Sequence, residues 1–448
     1  MTRQWRWGLI GVAVLAGLVA GAVPVVNGWQ TQKTWQATIE ALDTQLAAAT
    51  GGEAGAQVVA YERGLYSART TTRLVLPAAS LARDSRRELA LPPGPPELVL
   101  EQVIRHGFRG VRFSGHLEPR GPLAVPYARL GGNAETLQIS GHIRPGSQAL
   151  AVQTQALEGP LDPDGALQLR IEPLQLETRY RDGSSRLETR LEWPGLVMTA
   201  PETEGTLRVG RMSAESDARL VAGTLAEGVW VGEGRYSLEA LALTPALEPG
   251  IALEQFTLTA ASREREDGLI AGTLNSDWAR LVLPDTPPLR GALEVRFDRL
   301  APAGLLALSR QSGATDLNGL AGAGQRRALA LLAEAAPRLD LSRLRVETEA
   351  NAGLNGSMEL AVRPAMADRL RTGQAGMALW SAVRLDAEMG LDETLARALP
   401  AEQAAWLRQL EGFGIVERRE GQWRLAVSLT DGQLSVHGRP WWGGGGAR

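Results

Sequence analysis

Trp423-Arg424-Leu425-Ala426-Val427-Ser428-Leu429-Thr430-Asp431-Gly432-Gln433-Leu434-Ser435-Val436 is the stretch that decides the fold class. Trp423, Leu425, Val427 and Leu429 recur at every second position, so a pleated strand puts them on one face and Arg424, Ser428 and Thr430 on the other. Leu434 and Val436 resume the pattern after Asp431-Gly432, a dipeptide that tolerates the two positive φ angles of a type I′ turn. Pattern and turn together specify one hairpin register.

The same alternation extends upstream. It runs through Leu167, Leu169 and Ile171, through Leu174, Leu176, Thr178 and Tyr180, and again through Leu293, Val295 and Phe297, Leu344 and Val346, and Val383, Leu385, Ala387 and Met389. Further Asp-Gly turns fall at Asp164-Gly165, Asp182-Gly183 and Asp267-Gly268. Strand and turn signals follow one another from about residue 110 to 300 without helical runs, which argues against βαβ units and predicts no helix there longer than three turns. The expected fold class is mainly β with minor α: an extended antiparallel sheet with a few short helices, preceded by an N-terminal transmembrane helix. The β-rich region is read as 57–440, with helices near 302–309, 322–336 and 400–410, and 441–448 as a mobile tail. Leu91 to Pro96 and Pro119 to Pro126 read as Pro-rich loops.

Composition narrows the function classes. With 448 residues, 44% hydrophobic and 22% charged, the chain is globular, and a net charge of -3 provides no global basic field for nucleic acid. Cysteine is absent, which excludes disulfides, thiolate catalysis and zinc-thiolate sites. Lys33 is the only lysine, so no G-x-x-x-x-G-K-[ST] phosphate loop exists, and there is neither a G-x-S-x-G elbow nor a H-E-x-x-H helix. The four histidines, His106, His116, His142 and His437, show no metal-ligand spacing. These residues assign no catalytic group, no metal and no cofactor.

The N-terminus sets the expected compartment. Residues 1–7 carry Arg3 and Arg6, and Gly8 to Val26 holds no charged residue, a length that approaches a membrane span. Positive charge before the apolar run favours a cytoplasmic N-terminus, so the bulk of the chain is expected in the periplasm behind a single-pass inner-membrane anchor. Ala20-Gly21-Ala22 leaves the rival open, a secretory signal cleaved after Ala22. Over 27–50, Trp35, Ile39, Leu42 and Leu46 recur at helical spacing, which predicts an amphipathic juxtamembrane helix stopped by Gly51-Gly52. Arg83, Arg86 and Arg87 read as ordinary solvated charge, with anionic lipid headgroups as the alternative partner.

Three segments carry a family resemblance. Tyr61-Glu62-Arg63-Gly64-Leu65-Tyr66-Ser67-Ala68 is similar to a "Y-x-R-G-aromatic-S-S" element, with Leu65 inserted and Ala68 in place of the second serine. His106-Gly107-Phe108 is similar to a His-Gly-Pro element, and Asp431-Gly432-Gln433-Leu434-Ser435-Val436-His437-Gly438-Arg439-Pro440 to an ending of the form "N-G-x-L-T-V-N-G-K-P". In this order, behind an apolar anchor, they resemble the YdgA-like family of bacterial envelope proteins, a domain of unknown function. The resemblance implies an inner-membrane-anchored periplasmic protein and transfers no catalytic role. It marks Tyr61, Arg63, Gly64, Ser67, His106, Gly107, Asp431, Gly432, Gly438 and Pro440 as motif positions of unknown role. Turns entering strands are the structural reading of Arg63-Gly64 and His106-Gly107.

Two functions fit this pattern. The first is a noncatalytic β-sheet module whose apolar face binds a lipid or an envelope-protein partner, with inner-membrane lipid around the anchor and a homo-oligomer left open. AsmA-type lipid-transport proteins are similar in architecture only. The second is a periplasmic hydrolase whose site is assembled from distant strands.

Overall fold

A computed structural model describes residues 28–64, 67–77, 89–107, 110–181, 185–200, 205–224, 228–245, 250–284, 286–310, 322–372, 377–399 and 401–441. The segment Gly8 to Val26, the Arg83, Arg86 and Arg87 cluster, Asp182-Gly183 and residues 442–448 lie outside the described residues. Among the described residues, no helix is long and apolar enough to cross a membrane. The chain divides into two compact units, Met1–Asp217 and Ala218–Arg448, where the sequence suggests one β-rich region.

Unit 1 opens with helix α1, Gly28–Thr50, followed by strands β1 Gly55–Arg63, β2 Ser67–Val75, β3 Glu97–Gly107, β4 Gly110–Arg120, β5 Leu137–Arg144 and β6 Ser147–Thr154. Each strand pairs antiparallel with the next. After β7 Leu157–Pro160 and β8 Gln168–Ile171, β9 Gln175–Arg181 joins β6, and β10 Arg186–Trp193 joins β9. The short strands β7 and β8 pair with each other, and β8 pairs with β11 Leu196–Ala200, which also pairs with β12 Gly205–Val209. β13, Met212–Gly223, crosses the boundary between the units.

The period of α1 determines how it packs. Its Ile39, Leu42 and Leu46 face Leu74, Leu100, Leu117, Ile139 and Leu150 of five successive strands, and Trp35 packs against the same cluster. Ile39 is only 2% exposed and Leu100 only 1%. Burial of this kind contributes about 1.5–3 kcal/mol per side chain. The Asp43 carboxylate accepts the Ala56 N–H at 2.8 Å and ties the helix to the start of β1. Gly51 and Gly52, both at positive φ, end the helix, and the Gly52 N–H donates to the Ala47 carbonyl at 2.8 Å.

Unit 2 is a second meander: β14 Gly228–Thr244, β15 Ile251–Glu264, β16 Ile270–Val282, β17 Leu289–Leu300, β18 Arg338–Thr348, β19 Gly353–Val362 and β20 Val383–Asp392. Consecutive strands pair antiparallel throughout. β21 Glu417–Arg419 and β20 both pair with β22 Gln422–Thr430, followed by β23 Gln433–Val436 and β24 Arg439–Pro440.

Sequence and structure differ at several points. The Pro119 to Pro126 stretch is not a loop: Pro119 and Arg120 finish β4, and Pro122 lies in a 3-10 turn leading into the short helix α2, Ala124–Arg129. The expected helices are α3 Pro302–Ser309, α4 Ala323–Glu334 and, later, α7 Ala401–Gly412. Two more short helices precede α7, namely α5 Ala365–Arg371 and α6 Glu393–Arg397, and a single turn spans Met377–Trp380. They are too short for a helical period to show in the sequence. In β22, Leu429 is buried and Arg424 and Thr430 are exposed, as the alternation requires. Ser428 is half-buried, because its hydroxyl bonds that of Ser435 at 2.6 Å across the hairpin.

Docking of α1 yields a direct expectation. Ile39→Ala should cost about 2–5 kcal/mol in urea or thermal unfolding, the range for a large side chain removed from a filled core. A loss below about 1 kcal/mol would show that the helix does not sit on the sheet.

Candidate functional site

Strand register assembles one apolar face across eight strands of unit 2. One row runs Tyr236, Leu258, Ser276, Leu293, Leu344, Gly356, Met389 and Leu425, each directly opposite the next. The next row runs Gly234, Ala260, Leu274, Val295, Leu341, Met358, Ala387 and Val427. A third runs Ser262, Gly272, Phe297, Leu339, Leu360, Leu385 and Leu429. No charged residue interrupts these rows. At about 4.8 Å per strand, the first row is roughly 34 Å across.

What covers the apolar rows differs between the two units. Under α1, Leu74, Leu100, Leu117, Ile139 and Leu150 of unit 1 are buried, with Leu98, Phe113, Leu137 and Leu176 half-buried beside them, whereas Leu258, Leu274, Val295, Leu341, Leu344 and Met358 in unit 2 all remain half-buried. Among the described residues, helices close one end: α3 packs Leu305 and Leu306 against Phe297 and Ile270, and α4 and α5 gather around Val362. The opposite face is polar and self-compensated, with Arg296 on Glu294, Arg345 on Glu347 and Arg384 on Asp386. Two concavities of about 900 and 1180 Å³ are lined mainly by residues of that opposite side, the first by Arg343, Glu388, Arg419 and Arg424 among others.

The motif positions fall into two groups. Tyr61, Arg63, Gly64, Ser67, His106 and Gly107 meet at one end of β1, β2 and β3 in unit 1. Tyr61 stands opposite Thr70 and Arg63 opposite Ala68, while the Gly64 N–H closes the turn onto the Ser67 carbonyl at 2.7 Å. Gly107 faces Gly110 at the β3–β4 turn. Burial and the Arg63 charge both push the His106 pKa down, and burial, opposed by Arg63, pushes the Tyr61 hydroxyl up.

Asp431, Gly432, Gly438 and Pro440 are turn residues of unit 2. Asp431 and Gly432 have φ of +54° and +79°, and His437 and Gly438 repeat the pattern at +52° and +71°, so two type I′ turns succeed each other. Asp431 also pairs with Arg363, and Pro440 stands opposite Ser435.

Sequence reading missed part of the unit 1 group. Thr70, Thr72 and Gln102 share the inner face with Tyr61 and are 2%, 0% and 5% exposed. Thr70 Oγ1, Thr72 Oγ1, Gln102 Oε1, Tyr61 Oη, Trp35 Nε1 and both His106 ring nitrogens are buried without a hydrogen-bond partner. Each such group costs about 1–3 kcal/mol when left unsatisfied, so this patch suits a small hydrogen-bonding guest such as ordered water. The available signal was a polar residue at the inward period: Gln102 between Leu100 and Ile104, and Thr72 beside Leu74. Among the described residues, no group of three or more acidic or histidine side chains is placed to hold a metal ion.

The histidines make stability depend on pH. Burial lowers His106, and burial together with Arg144, Arg112 and Arg179 lowers His142. The unfolded chain therefore binds the extra protons, and stability is full above about pH 6.5 and falls below it. The melting temperature should drop between about pH 7.5 and 5.5, and His106→Leu should reduce that drop. An unchanged drop would show that His106 takes up its proton alike in the folded and unfolded chain.

No curated protein and no solved structure matches the chain. Over residues 6–441 it matches a family described as bacterial protein of unknown function. The chain belongs to that family, DUF945.

Proposed function

We propose that this protein is a membrane-anchored periplasmic envelope protein that binds an apolar ligand, the acyl chain of a lipid, on the eight-strand face of unit 2. The observation that carries the reading is the contrast between the units. The centre of the apolar face is buried beneath α1 in unit 1, whereas Leu258, Leu274, Val295, Leu341, Leu344 and Met358 stay half-buried across unit 2. Contiguous apolar patches on a protein surface are often functional. The uncharged run Gly8 to Val26 motivates the anchor and the periplasmic location.

A noncatalytic role is the better fit to the histidine surroundings. Neither ring nitrogen of His106 contacts a hydroxyl, His437 Nε2 lies 3.2 Å from the Ile415 carbonyl, and His116 faces Glu101 at 3.7 Å. A hydrolase needs a nucleophile within hydrogen-bond reach of its base.

Lipid extraction and mass spectrometry of the purified full chain test the reading. Acyl lipid should copurify in stoichiometric amount. Leu341→Gln, which puts an amide at the centre of the face, should weaken retention roughly tenfold, since an unpaired polar group in an apolar site costs about 1–3 kcal/mol. Equal lipid content in both proteins, or none in either, would contradict the assignment.

A further inference from the structure

On the outer, solvent-facing side of the unit 1 sheet, several arginines lie beside a carboxylate. Arg73 lies 3.9 Å from Glu97, Arg170 2.7 Å from Glu172, Arg179 2.6 Å from Glu177, and Arg181 3.0 Å from Glu188. Arg105, Arg112 and Arg144 are exposed and have no carboxylate partner among the described residues. Arg105 stands directly opposite Arg112, and Arg112 directly opposite His142. Like charges in directly opposed positions destabilise a sheet, and among the described residues no carboxylate offsets that cost.

Strand spacing brings these groups close together. β3, β4 and β5 are adjacent, and Arg144 is two residues beyond His142 on the same face, so all four side chains originate within roughly 12 Å. Between and beside them the face is floored by small residues: Ser114 opposite Ser140, Ser140 opposite Ala151, and Ala149 opposite His142. Guanidinium groups rising around a floor of hydroxyls and methyls suit a compact anion with several oxygen acceptors. Planar guanidinium forks match phosphate oxygens in pairs, and hydroxyls supply further donors.

We propose that the Arg105–Arg112–Arg144 patch on the outer face of unit 1 binds the phosphate of an anionic lipid headgroup. The patch is compact, unlike the extended basic stripe that tracks a nucleic-acid backbone. Gly8 to Val26, the uncharged run expected in a bilayer, makes a membrane surface the phosphate source nearest to this chain. This assignment is independent of the apolar face of unit 2.

The test uses the full chain in a neutral detergent, with short-chain phosphatidic acid as probe and short-chain phosphatidylcholine and inorganic phosphate as controls. Phosphatidic acid should raise the melting temperature and should raise the depressed pKa of His142, read by NMR, as its phosphate offsets the flanking arginine charge. The triple variant Arg105→Gln, Arg112→Gln, Arg144→Gln should bind at least roughly tenfold more weakly, while its own melting temperature stays equal or rises because the repulsion is gone. Retained binding in the triple variant would overturn the proposal. So would an equal response to phosphatidylcholine, or an equal response to inorganic phosphate, which would assign the patch to free anions instead. Arg190→Gln, on the same sheet but with its guanidinium 3.0 Å from the Glu192 carboxylate of the same strand, serves as a folding and charge control and should leave binding unchanged.

Discussion

The constraint on which this structure depends is the two-residue period of the pleat, carried from strand to strand by antiparallel register. Once Val427 stands opposite Ala387, and Ala387 opposite Met358, the side of the sheet on which each residue lies is set back to Ala260. A single slipped register would turn the apolar rows to solvent and bury the Arg–Glu ladder. The paired surface charges themselves contribute little stability. Their value lies in keeping the polar face soluble while the other face stays apolar.

Each unit meets the demand for cover in its own way. Unit 1 supplies a helix whose Ile39, Leu42 and Leu46 fill the space above five strands. Among the described residues, unit 2 supplies helices at one end, and rows of leucine, valine and methionine are half-buried. Lost burial on that scale amounts to several kcal/mol at about 25 cal/mol per Å², and an apolar occupant would recover it. The unit 1 patch around Tyr61, Thr72, Gln102 and His106 raises the opposite problem, polar atoms where the sheet is covered.

The sequence made the fold class legible because alternation and Asp-Gly turns are local. Trp423 to Val436 encodes its register in its own fourteen residues, and the positive φ angles at Asp431 and Gly432 match that reading. Trp35, Ile39, Leu42 and Leu46 likewise announce a helix face through spacing alone. Other features were out of reach because they depend on which strands become neighbours. Arg105 and Arg112 are seven positions apart in sequence and directly opposed in the sheet, and His142 joins them only through the β4–β5 pairing. Tyr61 and Gln102 share a face only because both pair with Thr70 of β2. The division into two units at Asp217 falls inside β13, where no break in composition marks it.

The central claim is that the apolar face of unit 2 receives an acyl chain, and the absence of native cysteine makes a site-specific measurement direct. Met358→Cys places a unique thiol in the middle of the apolar rows, and Glu359→Cys places one on the opposite face. Each variant is labelled with an environment-sensitive fluorophore and titrated with a long-chain fatty acid. The account predicts a saturable change in emission at position 358 and none at 359. Equal responses at the two positions, or no response at 358, would contradict it.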